Sequence, residues 1–269
     1  MAQKKANKAS IFDTISDKML ERIQALRLID DDFMTAVFSG DNKLTEFLLR
    51  ILLRRTDLKV KRSMTQKEMH NIFGRSVRLD IFAEDTLGKQ YNVEIQRAEK
   101  GADYRRVRLI QSAIDNHTLK KGDSYADLPE TYIIFITEKD IKGNDKPFYE
   151  VKKTIDEDLY DDGTHIVFVN GEYRENDDIG KLMHDFFEPN ASKMFFNEIA
   201  DRVRFFKQQD KGVTKVCRIV EEYGDERVAE YKVQIATRLL RQNKLSVDDI
   251  AEAAEVPVEE VRKLASSLS

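Results

Sequence analysis

Asp80, Glu94 and Gln96 lie in one stretch, Ser76 to Arg97 (SVRLDIFAEDTLGKQYNVEIQR), whose alternation reads as two strands joined by a short turn. Successive strand side chains point to opposite faces. Tyr91, Val93 and Ile95 therefore share one face of the second strand, and Asn92, Glu94 and Gln96 the other. In the first strand Val77, Leu79, Ile81 and Ala83 form the apolar face, which leaves Asp80 on the opposite side. Two carboxylates on neighbouring strands, with spare oxygens turned the same way, suit a hard divalent cation held by protein oxygens, water and a substrate phosphate. Such an ion acidifies water and neutralises charge that develops on a cleaved phosphodiester. Asp80 and Glu94 are the expected ligands, with the Ile95 carbonyl as a third. Gln96 is placed to orient the attacking water or the scissile phosphate. The ion expected is Mg²⁺, with Mn²⁺ as its substitute. The same spacing also has a plain reading, a hairpin whose polar face is simply wet.

Several elements must position these residues. Asp85 to Lys89 supplies the hairpin turn, with Gly88 free to take a positive φ. Upstream, DDDFMTAVFSGDNKLTEFLLRILLRR shows two helical pieces broken at Ser39-Gly40-Asp41, and Asp41 or Asn42 can cap the second. Glu46, on that second helix, could bring a third carboxylate to the cleft. A strand is expected over 58–65, and a helix over about 103–121 with Gly122 as its stop. TYIIFIT at 131–137 is a strand of the kind buried on both faces, and the run from His165 to Asn170 is a further strand, ended by Gly171. This order, helix, three strands, helix, strand and a further strand, implies a mixed α/β sheet flanked by helices. Arg97, Lys100, Arg105, Arg106 and Arg108 follow the hairpin and form a basic rim suited to phosphates of DNA.

The expected division is a disordered tail over 1–14, a core over 15–211, and an all-helical region over 212–269. Helices are read at 178–188, 191–208, 213–223, 225–243, 247–254 and 257–268. The last pair has a helix-turn-helix-like shape: Ser246 caps one helix, and Val256-Pro257 turns the chain into the next. That next helix opens with Glu259 and Glu260, the wrong sign for a major groove. It reads as a packing or dimerisation element.

Bulk properties bound the rest. The chain has 269 residues, 35% of them charged, a net charge of -4 and one cysteine, Cys217. A single cysteine excludes an internal disulfide and any multi-cysteine zinc site. The four histidines show no zinc spacing, and no glycine-rich loop suggests a small-molecule cofactor. No apolar run is long enough to span a bilayer, and MAQKKANKAS lacks the apolar region of a secretory signal. A cytoplasmic protein is expected, without a membrane partner.

GRSVRLDIFAED, YNVEIQRA, LPETYIIFIT, HIVFVNGEYR and IGKLMHDFF together resemble the PD-(D/E)XK nuclease family transposases, akin to the recombination-promoting nuclease (Rpn) group, over about residues 15–225. The resemblance implies a restriction-endonuclease-like αβββαβ core and a metal-dependent DNA endonuclease. It puts Asp80, Glu94 and Gln96 at the family's metal-binding Asp, its Glu and its usual lysine. Glu46 falls at a helix acid of the superfamily, and Arg106 in its arginine-bearing helix. Arg97, Arg105, Arg106 and Arg108 are the expected DNA contacts. Two positions depart from the motif: Gln96 replaces lysine, and Leu79 rather than proline precedes Asp80. The alternative is a catalytically inactive nuclease fold that binds DNA or a protein. A third reading is an interaction module built on the helical region, which would make the protein a homodimer.

Overall fold

β2 (Val77–Asp85) and β3 (Gln90–Gln96) form the antiparallel hairpin that the alternation predicts. Its turn is organised by Asp85, whose Oδ1 accepts from the backbone N–H groups of Leu87 (2.8 Å) and Lys89 (2.9 Å). The other oxygen of Asp85 accepts from the Tyr91 hydroxyl at 2.8 Å. Gly88 takes φ +84°, a conformation that a side chain would oppose. The computed structural model describes residues 10–70, 76–97, 103–242 and 244–268, with backbone alone for 223–227, 230 and 268. Residues 1–9 of the expected tail, Gly74, Arg75, Ala98 and Lys100 lie outside the described residues.

The hairpin sits in a six-stranded mixed sheet of order β1-β2-β3-β4-β8-β5. β1 (Val60–Met69) is antiparallel to β2, while β4 (Thr131–Thr137) and β8 (Thr164–Asn170) run parallel to β3. β5 (Phe148–Glu150) closes the far edge, and β6 (Thr154–Ile155) and β7 (Asp158–Leu159) form a small separate hairpin. Between β3 and β4 the chain passes through α4 (Tyr104–Thr118), a crossover that a parallel pair requires. α4 is capped by Asp103, whose side chain accepts from Arg105 N. It stops at Thr118 rather than at Gly122, because Leu119 is already extended.

Val107, Ile110 and Ile114 of α4 close over Leu79, Phe82, Ile133, Phe135 and Phe168 to form one buried cluster. Ile134 and Ile136 are buried as well, so β4 is covered on both faces, as its apolar run predicts. The helices upstream, α1 (Asp17–Ala25), α2 (Asp31–Phe38) and α3 (Asn42–Leu53), start at Ser16, Asp30 and Asp41. α2 packs on β1 and β2, and α3 on β1. After the sheet come α5 (Asp178–Phe187) and α6 (Asn197–Gln208), which pack on α3 and α2 respectively. Residues 11–13, at the end of the expected tail, instead form a capped helical turn in which the Ser10 hydroxyl donates to Asp210 at 2.6 Å.

The described chain divides into two compact units, 1–216 and 217–269. α7 (Asp210–Gln242) is one helix where two were expected, because Gly224 lies inside it without breaking it. α8 (Val247–Ala254) and α9 (Val258–Leu268) follow, with Ser246 and Asp249 in a reciprocal cap. Ala236, Ile250, Ala254, Val256 and Val261 form the core of that second unit. Among the described residues no helix is long and apolar enough to cross a membrane.

Candidate active site

The ladder between β2 and β3 runs from the turn to the pair Ile81–Val93 and stops. Beyond it the strands part, and two carboxylates fill the fork. Asp80 N donates to Glu94 Oε1 at 3.2 Å, and Ile95 N donates to Asp80 Oδ2 at 2.9 Å. Each acid thus satisfies a backbone N–H on the opposite strand that the lost ladder would have left bare. The predicted alternation along β2 also changes phase here. Leu79 and Phe82 belong to the same cluster beneath α4, with Val77 packed on it, so the four residues expected on one apolar face do not share it. The neighbouring strand shows the same break. Gln66, opposite Asp80 in register, takes φ 52°, and its side chain donates to Thr35 at 2.9 Å.

All of β3 is buried, so the polar face of the hairpin is not wet. Asn92 and Glu94 are fully enclosed, with Asp80 at 7% and Gln96 at 4% exposure. Burial raises the Asp80 carboxyl well above its ordinary range, with repulsion from Glu94 and then from Asp31 adding to it. Glu94 is also raised by burial, against the opposing pull of the Arg106 guanidinium and of the Asn92 amide. Arg106 Nη2 donates to Glu94 Oε2 at 2.6 Å, and its Nη1 donates to Gln96 Oε1 at 3.1 Å. Gln96 Nε2 in turn donates to the Arg97 carbonyl at 3.2 Å.

The hydrogen bonds leave a defined set of oxygens for an ion. Glu94 Oε1 accepts from both Asp80 N and the Asn92 amide (3.0 Å), which fills its two lone pairs. Glu94 Oε2 retains one, and Asp80 Oδ1 accepts no hydrogen bond among the described residues. Gln90 N bonds to Glu130 O and Glu138 N to Gln96 O, so the even-numbered residues of β3 face β4. The N–H and carbonyl of Ile95 therefore face the fork. Among the described residues no three His, Cys, Asp or Glu side chains converge on one point. The fork offers two carboxylates and one carbonyl.

Glu46 does not join it. Its Oε2 accepts from Val60 N at 2.9 Å and its Oε1 pairs with Arg50 at 2.8 Å. Val60 is paired with Asp85 at the turn end of the hairpin, so Glu46 ties α3 to the wrong end of β2 for chemistry. The helix acid that acts on the pair is Asp31, in the first turn of α2. Within the acid run Asp30-Asp31-Asp32 it read only as a helix start. Asn92 was legible as a face-mate of Glu94, though its grip on the carboxylate was not. Of the arginines, Arg106 enters the fork. Arg97 is half exposed and leans on Asp30 (3.3 Å) and Glu138 (3.9 Å). Arg105 and Arg108 are exposed on α4.

Residues 36–170, the span from α2 through β8, match the family described as PD-(D/E)XK nuclease family transposase. No curated protein and no solved structure matches the chain.

Proposed function

The chain belongs to the PD-(D/E)XK nuclease family transposases, and from that membership and the carboxylate fork we propose a metal-dependent endonuclease that hydrolyses phosphodiester bonds in DNA during transposition or recombination. One observation carries the reading: two buried, mutually repelling carboxylates keep free oxygens in a fork where the ladder has opened. Among the described residues Asp80 Oδ1 accepts no hydrogen bond and Glu94 Oε2 keeps one lone pair, so both face the fork with capacity to spare. The donor set is all oxygen and fits Mg²⁺ or Mn²⁺ held by Asp80, Glu94 and the Ile95 carbonyl. When bound, such an ion supplies Lewis acidity, drawing charge from phosphate oxygens and lowering the pKa of water.

The protein's own groups do the rest. The burial and mutual repulsion that raise the two carboxyls would be relieved by a cation placed between them. Asn92 and the amides of Asp80 and Ile95 fix the direction of the two carboxylates. Arg105 and Arg108 offer exposed charge on α4 for neighbouring phosphates, and Arg97 offers it at the end of β3. In the reaction a water oxygen bonds to phosphorus and one P–O bond to a sugar breaks. One water proton ends on the leaving oxygen and the other in solvent, giving a phosphomonoester and a free hydroxyl.

Supercoiled plasmid incubated with Mg²⁺ tests the proposal. The native protein is expected to nick it, with Asp80→Ala and Glu94→Ala each slower by on the order of 10³-fold. Cleavage that survives both substitutions sinks the assignment. Binding without nicking by the native protein would select the inactive nuclease fold instead.

A further inference from the structure

Position 96 carries an amide, so β3 brings no cation to its own carboxylate, and the charge arrives from α4. Arg106 spends two different nitrogens on two different β3 side chains, Nη2 on Glu94 (2.6 Å) and Nη1 on Gln96 (3.1 Å). Gln96 is held at its other end by the Arg97 carbonyl, which leaves its oxygen directed at the guanidinium. Glu94 is fully enclosed while the Arg106 side chain is 39% exposed, so the guanidinium reaches from the fork to solvent. Among the described residues two of its five N–H donors are engaged, which leaves three to meet a phosphate.

We propose that Arg106 is the catalytic cation and Gln96 its positioning residue, and that together they replace a lysine on β3. This rests on the phosphodiesterase reading above. Charge on the phosphate oxygens grows toward the transition state, and a fixed, partly dry cation stabilises it most there. Gln96 thus orients the arginine rather than the attacking water. The two identities depend on each other. An amide at 96 accepts from Arg106, whereas an ammonium there would face the guanidinium as a like charge.

The test compares the native protein with Arg106→Ala, Gln96→Lys and the double variant. Cleavage is measured with Mg²⁺, and DNA affinity separately with Ca²⁺. Arg106→Ala is expected to slow cleavage by about 10²-fold or more, the loss typical of one transition-state donor, while affinity changes by less than about threefold because other cations hold the phosphates. Gln96→Lys alone is also slow. The double variant recovers at least about tenfold over Arg106→Ala, and it gains an alkaline limb in its pH–rate profile because an amine titrates where a guanidinium does not. Native cleavage by Arg106→Ala overturns the inference, as does a folded double variant no faster than Arg106→Ala. Should Arg106→Ala fail to fold, Gln96→Met leaves the Glu94–Arg106 pair in place and is expected to lose about tenfold at an unchanged melting temperature. Unchanged cleavage in that variant also overturns it. A native protein that leaves all DNA intact defeats the phosphodiesterase reading and this inference together.

Discussion

Asp80 and Glu94 bring the same functional group to one fork but hold different partners. Among the described residues Glu94 has three donors, two of them side chains, and Asp80 has one backbone N–H. That asymmetry leaves Asp80 the more open carboxylate and Glu94 the one steered by its surroundings. That one hairpin carries both was legible in the sequence, and on β3 the places of Glu94, Gln96 and the Ile95 carbonyl follow from strand alternation, a local rule. Where the rule failed, in the phase of β2, the neighbouring strand is irregular too, with Gln66 at φ 52° opposite Asp80, which no local pattern announces. Glu46 failed for a similar reason: which end of a strand a helix docks against is decided by tertiary packing. Glu46→Ala is therefore expected to keep cleavage within about twofold. It should cost roughly 1 kcal/mol of stability through the lost bond to Val60 N, which urea unfolding can measure.

At the scale of elements, the sheet and α4 were readable because their signals are strong: a seven-residue apolar strand and a turn with glycine at the position that takes φ +84°. How α6 is fastened was not readable. Lys207 is 3% exposed, and its ammonium donates to the carbonyls of Gln24 (2.9 Å), Leu26 (2.6 Å) and Pro189 (2.6 Å). It joins the end of α1 to the ends of α5 and α6, which lie far from it in sequence. Lys207→Met is expected to destabilise by about 2–4 kcal/mol, since the carbonyls are left without donors. Burial lowers the amine to about 8, against about 10.4 in an unfolded chain. Between those values the unfolded chain binds the extra proton, so this residue makes stability rise with pH across that window. The native protein should gain on the methionine variant between pH 8 and pH 10. Urea midpoints that move in parallel would refute the assignment.

For the whole molecule, the order of elements carried most of the information, because helix, hairpin, crossover helix and parallel strand admit few topologies. The continuity of α7 was hidden by Gly224, which costs only about 1 kcal/mol inside a helix and need not end one. Residues 1–216 form a compact unit that holds the fork, α4 and every arginine assigned to DNA. A chain ending at Val216 is expected to fold and to cut plasmid within about threefold of the full protein. Loss of cutting in a folded truncation would give the helical region a part in catalysis.

In the proposed site Asp80, Glu94 and the Ile95 carbonyl hold one divalent cation. Crystals soaked in Mn²⁺, with the ion located by its anomalous scattering, test this most directly. One peak is expected in the fork, within coordination distance of Asp80 Oδ1, Glu94 Oε2 and Ile95 O. An empty fork at saturating Mn²⁺, or an ion bound elsewhere, would contradict it.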